Sequence, residues 1–306
     1  MRAVVIGAVE STRIAIECIA RSPGWSLPLV ATLPLSLAHR HSDFVDLTEP
    51  ARLAGAELFA GANANAAESL AAIRAADPDY LFIIGWSQIA RAELTSIPRF
   101  GSIGYHPAAL PRMRGRAVIP WTILAGEPIT GGTLFWIDEG VDSGPILQQG
   151  FFHVAADETA TTLYARHMQL LERLMGDALA AISAGAAPRQ VQDERFATWA
   201  ARRTQECGRI DWAQDARSID CLVRAVARPY PGARTRIASS NQDLIVWQAR
   251  VASEGHRHQA RTGQVIARSD SSFTVLCGDS TAIEVTEWES ASASMPPLHA
   301  QLAVQS

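Results

Sequence analysis

Lysine is missing from all 306 residues, so each of the 27 permanently cationic side chains is an arginine. That excludes Schiff-base chemistry and lysine nucleophiles. Cysteine is scarce: Cys18, Cys207, Cys221 and Cys277 are scattered, with no C-x-x-C pair. A zinc site built from closely spaced thiolates is therefore not expected, and the four read as small buried residues and reduced thiols with no metal assigned. No apolar run approaches the roughly 20 residues that a membrane-spanning helix needs. Met1–Ile6 leads straight into a strand pattern rather than a signal peptide, which predicts a soluble cytoplasmic protein without a membrane partner. Only one glycine, Gly7, follows that first strand, so the G-x-G-x-x-G fingerprint of dinucleotide enzymes is absent. A basic excess is absent too. The net charge of −4 speaks against a nucleic-acid partner that gains affinity from overall charge, while leaving a local arginine face open.

Hydrophobic residues make up 48% and charged residues 19%, the balance of a globular chain long enough for one large domain or two ordinary ones. Arg2–Gly7, Leu29–Leu33 and Tyr80–Ile84 are short apolar runs of the kind buried in a parallel sheet. Helical spacing fills Glu10–Ala20 and Ala66–Ala76 between them, so the chain opens as βαβ units. His39, His41, Asp43 and Asp46 resemble metal ligands, but without a second cluster they read as a polar loop at the mouth of the sheet. Ile103–His106 is expected to end a strand, Val118–Leu124 to form a helix, and Thr133–Trp136 a strand. Asp157 is expected to cap a helix over Thr161–Ile182. His153 and His167 read as structural. Composition shifts at Ser183–Arg189, and a helix over Ala216–Val226 follows. Short alternating runs then come at Leu244–Val251, Gly263–Ala267, Phe273–Cys277 and Ala282–Glu287, the pattern of a small β-barrel. The domain reading is 1–188, a connector 189–212, a second domain 213–290, and a loose tail 291–306.

Chemistry concentrates between Gly101 and Gly150. His106 precedes Pro107, an Arg114-Gly115-Arg116 turn follows Pro111, and an acidic, Gly-rich turn runs from Asp138 to Gly144. His106 can exchange a proton near neutral pH, and Asp142 can orient or charge it if the two meet. The other readings are a buried histidine held by backbone and a turn carboxylate beside Gly144. The arginine turn suits a phosphate, the glutamate tail of a folate, or plain solvent.

Four ordered pieces of this block, His106-Pro107, Leu110-Pro111, Arg114-Gly115 and Val141-Asp142-Ser143-Gly144, resemble the 10-formyltetrahydrofolate-dependent formyltransferases. Arg202-Arg203-Thr204 and Gly208-Arg209-Ile210-Asp211-Trp212 resemble the connector of the two-domain members, so the likeness covers nearly the whole chain. It implies an α/β fold, a Rossmann-like parallel sheet with a small OB-like β-barrel C-terminal domain. It implies 10-formyltetrahydrofolate as donor, with the pteridine held by Gly85, Trp86, Ser87, Gln88 and Ile89 and by Asp138, Glu139, Gly140 and Val141. His106 and Asp142 carry the catalysis in this reading, and Tyr105, Pro107, Arg114 and Gly115 contact the acceptor. The family's catalytic Asn falls on Gly104, so Ser102, Tyr105, Gln88 or a water must replace its hydrogen bond, or the reaction is slow or absent. The acceptor this points to is a small amine, a nucleotide-linked amino sugar, ahead of the tRNA used by methionyl-tRNA formyltransferases. A non-catalytic folate- or nucleotide-binding relative is the alternative, and a homodimer is an allowed state.

Overall fold

The computed structural model describes residues 1–303 apart from Glu254 and Ser292. Contacts divide it into two units. The first takes 1–118, 128–154 and 164–201, and the second takes 119–127, 155–163 and the chain from 202 onward.

The first unit is built on a seven-stranded sheet. In chain order its elements are β1 (Arg2–Ile6), α1 (Glu10–Arg21), β2 (Ser26–Thr32), α2 (Thr48–Leu53), β3 (Glu57–Ala60), α3 (Ala67–Ala75), β4 (Tyr80–Ile83), α4 (Ala92–Thr95) and β5 (Gly101–His106). They continue with the two-residue β6 (Arg114–Gly115), β7 (Ile129–Trp136), β8 (Ile146–His153), α6 (Ala160–Ser183) and β9 (Trp199–Ala200), whereas α5 (Val118–Leu124) beyond its first residue and the first turn of α6 are counted with the second unit. The sheet order is β3-β2-β1-β4-β5-β7-β8. Its first five strands are parallel, which is the Rossmann-like pattern. β7 and β8 run antiparallel at the far edge, and β8 carries no sequence signal strong enough to have been expected.

Period-two alternation explains the two cores. Ala3 and Val5 pack with Ile14, Ile19, Leu171 and Leu174 on one face. Val4 and Ile6 pack with Leu70, Ile73 and Leu94 on the other. The cap of α6 differs from expectation: Thr159 Oγ1 accepts the Thr162 N–H at 3.2 Å, so Thr159 rather than Asp157 serves the helix start.

The second unit adds α7 (Ala216–Ala225) and six strands: β10 (Ala233–Ile237), β11 (Gln242–Ala252), β12 (Val265–Arg268), β13 (Phe273–Leu276), β14 (Ala282–Ser290) and β15 (Leu302–Ala303). Their order is β12-β13-β14-β11-β10-β15, and a bridge from Gln264 to Gln301 brings β15 back towards β12. The sheet thus curls into the expected barrel-like form around Ile219, Val223, Phe273 and Ile283. The tail is not loose throughout, because Leu302 and Ala303 pair with Ile237 and Arg236. Ser292 and residues 304–306 of that tail lie outside the described residues. Among the described residues no helix is long and apolar enough to cross a membrane.

Candidate active site

β5 decides which side chains meet. Gly104, Tyr105 and His106 stand opposite Phe135, Leu134 and Thr133 of β7. Alternation along a strand puts Gly104 and His106 on one face and Tyr105 on the other. His106 is 4% exposed at the carboxyl end of β5, where open α/β sheets hold ligands. Its Nε2 lies 2.7 Å from the Met113 carbonyl oxygen, which assigns an Nε2–H donor. Its Nδ1 lies 3.5 Å from Asp142 Oδ2. Both ring nitrogens face acceptors, so the ring satisfies both only when it carries two protons.

Asp142 adopts the left-handed backbone at φ 53°, uncommon for residues other than glycine although aspartate is among those enriched there. Its Oδ2 accepts the Gly115 N–H at 2.8 Å. Asp138 has a different task. Its Oδ1 accepts from Gly140 N–H at 3.0 Å and from Ser143 Oγ at 2.8 Å, closing the turn that presents Asp142. Glu139, Gly140 and Val141 are exposed along that turn.

The Gly85–Ile89 loop leaves the carboxyl end of β4. Gly85 sits at φ 72°, and a Cβ there would lie 2.3 Å from Val9 Cγ2, so glycine is required on both counts. Trp86 packs into the core with Leu70 and Leu94, while Ile89 is 78% exposed. Ser87 Oγ lies 3.3 Å from His41 Nε2, which brings the 39–46 loop to the sheet mouth. Burial lowers the His41 pKa, with nearby Arg116 in the same direction and Asp43 opposing. An open recess of about 580 Å³ beside Gln88 and Ile89 is lined by Arg40, Asn63, Asn65 and Arg91.

The profile described as Formyl transferase matches residues 34–179, and that of the Formyl transferase C-terminal domain matches 202–300. A methionyl-tRNA formyltransferase of Dechloromonas aromatica (strain RCB) is 31% identical over 306 residues, 99% of this chain and 95% of that one. The chain belongs to the formyl transferase family. Among solved structures, an Aquifex aeolicus HypX variant aligns with a TM-score of 0.67 at 19% identity, over 94% of this chain but only 45% of that one. The N-formyltransferase from Helicobacter canadensis, solved with folinic acid and dTDP-3-aminofucose, aligns with a TM-score of 0.63 at 16% identity, over 93% and 98% of the two chains.

In this formyltransferase several candidate residues are placed differently from expectation. Arg114 is 3% exposed and spends its guanidinium on Gln192 Oε1 (2.8 and 3.2 Å) and on Glu194 (2.6 and 2.9 Å). It is not free for a phosphate or a glutamate tail, and its hydrogen bonds hold the Glu194 carboxyl below the usual range. Tyr105 points away from His106. Its hydroxyl lies 3.4 Å from His167 Nδ1, and burial pushes its phenol well above the ordinary value. Pro107 is half-buried directly behind His106, and Gly115 contributes its backbone N–H to Asp142.

The side chains expected to offer a hydrogen bond in place of one at position 104 are engaged elsewhere. Ser102 Oγ donates to the Thr95 carbonyl at 3.0 Å, Gln88 Nε2 to the Ala62 carbonyl at 2.8 Å, and Tyr105 faces the opposite core. A Cβ on Gly104 would lie 2.9 Å from both Cε1 and Cζ of Phe135. The room beside Gly104 therefore holds an aromatic ring rather than a donor. Phe135, Gln192, Thr198, Arg40 and Arg91 were not among the expected site residues. Only Phe135 had a usable signal, the strand run Thr133–Ile137, and reading it required the β5–β7 register.

Proposed function

We propose that this formyltransferase moves the formyl group of 10-formyltetrahydrofolate onto the amine of a nucleotide-linked amino sugar. The observation that carries the transfer chemistry is the 3.5 Å approach of His106 Nδ1 to Asp142 Oδ2, between the two segments assigned to the pteridine. In the reaction the amine nitrogen attacks the formyl carbon, the carbon–oxygen double bond opens to an oxyanion, and the bond to folate N10 breaks as N10 takes a proton. The His106–Asp142 pair accepts the proton lost by the amine and returns one to N10. With Phe135 filling the space beside Gly104, position 104 offers the developing oxyanion no side-chain donor. The Asp138–Val141 and Gly85–Ile89 segments hold the pteridine, and Arg40 and Arg91 offer positive charge to the donor's anionic tail.

A sugar acceptor draws support from the dTDP-3-aminofucose in the Helicobacter canadensis structure. Charge favours it as well: from residue 202 onward carboxylates nearly equal arginines. Arg224, Arg228, Arg236 and Arg250 are each paired with a carboxylate. A surface so neutralised has little charge to release counterions from a nucleic acid. The second reading, methionyl-tRNA, rests on the 31% identical relative.

Calorimetry with 5-formyltetrahydrofolate tests the donor, and no binding at millimolar ligand would remove the folate reading. Formyl transfer to a panel of nucleotide-linked amino sugars, beside charged initiator tRNA, then decides the acceptor. Salt-sensitive turnover with tRNA alone overturns the sugar reading. No turnover with any amine, while the folate still binds, leaves a non-catalytic folate binder.

A further inference from the structure

The two acceptors that flank His106 are both fixed from one distant stretch. Gln192 is 5% exposed. Its Nε2 donates to the carbonyl oxygens of Asp142 (2.8 Å) and Gly144 (2.7 Å), while its Oε1 takes two N–H groups of buried Arg114. Six residues on, Thr198 Oγ1 accepts the Met113 N–H at 2.9 Å, and the Thr198 carbonyl accepts the Arg114 N–H at 2.8 Å. The pairing continues through β6 and β9, and the Arg116 N–H reaches the Ala200 carbonyl at 3.0 Å. Met113 and Asp142, the residues that present the acceptors, both hold left-handed backbone at φ 55° and 53°. Conformations of that kind persist only where surrounding contacts over-determine them.

We infer that Gln192 and Thr198 are positioning residues for the His106–Asp142 pair: Gln192 sets Asp142 against Nδ1, and Thr198 sets the Met113 carbonyl against Nε2. The stretch read from sequence as a connector is then part of the catalytic apparatus. A ring fixed from both sides keeps one orientation and one proton arrangement, and a misplacement of about 1 Å costs on the order of 100-fold in rate. The rate consequence rests on the formyl-transfer reading, whereas the geometric one does not.

Two variants separate positioning from mere packing. Gln192→Glu keeps the shape and strengthens the bond to Arg114, but aims a carboxylate oxygen at the carbonyls of Asp142 and Gly144. Thr198→Val removes one acceptor at an exposed site where folding is not at risk. Thermal melting of both beside wild type establishes that they fold. The first readout is the downfield proton NMR signal of the His106 imidazole N–H, identified by its loss in His106→Asn, which needs neither donor nor acceptor. The signal is expected to shift or broaden in both variants. The second readout is steady-state transfer, where Gln192→Glu should lower kcat about 100-fold with the donor KM within about twofold.

An unchanged His106 signal in two folded variants overturns the positioning role, whatever the activity. A folded Gln192→Glu with wild-type kcat overturns it as well, since packing and the Arg114 pair would then suffice. Shifted signals in the variants, beside a wild type that transfers no formyl group, keep the positioning role and remove the reaction assigned to it. If Gln192→Glu does not fold, the signal in Thr198→Val decides.

Discussion

Gly104 and Phe135 oppose each other across β5 and β7, and the phenyl ring fills the space that a side chain at 104 would need. Gly104→Asn is therefore expected to overpack the site at a cost of about 1–3 kcal/mol and to lower turnover rather than raise it. Pairing it with Phe135→Ala should recover stability relative to the single variant. Urea unfolding and formyl-transfer rates of wild type, single and double variants check this. A Gly104→Asn protein more active than an idle wild type would instead identify a decayed catalyst with its missing donor restored.

His106→Ala and Asp142→Asn are expected to lower formyl transfer by roughly 100- to 10,000-fold, the span of proton-transfer catalysis. An amide at position 142 still offers an oxygen to the Gly115 N–H, so Asp142→Asn should melt close to wild type. Single-turnover rates beside thermal melts test both claims, and wild-type turnover in either folded variant would place the chemistry elsewhere.

Arg114→Leu removes the donors that face Gln192 Oε1 in a buried setting. An acceptor left unpaired there costs about 1–3 kcal/mol. The exposed Glu194 adds little, since it can return to water. Its depressed pKa means that its bond to Arg114 contributes at neutral pH and is lost as the pH falls through the acid range. Denaturant unfolding at neutral pH is the measurement, and stability equal to wild type would show that the guanidinium is dispensable.

His167 is fully buried on α6, and burial pushes its pKa down to about 3, with nearby His106 and Arg166 acting in the same direction. Its folded pKa lies below the unfolded value, so the unfolded chain binds the extra proton and stability falls as the pH drops below about 6.5. The expected loss from this residue is about 2 kcal/mol between pH 7 and 5. His167→Leu should flatten that stretch of the stability–pH curve, and parallel curves would show that His167 is not its source.

Much of the fold could be read locally. Runs such as Arg2–Ile6 and Tyr80–Ile83 declare themselves through composition, and α1 and α5 through spacing and breakers. These signals lie within one element, where local propensity and tertiary packing agree. β8 was missed because Ile146–His153 mixes glutamines and a glycine with its apolar residues, and its pairing with β7 decides its state. Arg114 looked available because Arg-Gly-Arg after a proline reads as a solvated turn. Its partners lie 78 and 80 residues away.

The sequence by itself determined the βαβ opening and the barrel-like second unit through local periodicity, and the ordered motif pieces around His106 and Asp142 carried the resemblance to formyltransferases. Only the tertiary structure decided that these two side chains meet, that Asp138 closes the turn instead, that a ring rather than a donor stands beside Gly104, and that Gln192 holds the Asp142 loop. Each of those facts is a contact between segments remote in sequence. Such contacts are set by strand register and burial, which no single stretch of the chain encodes.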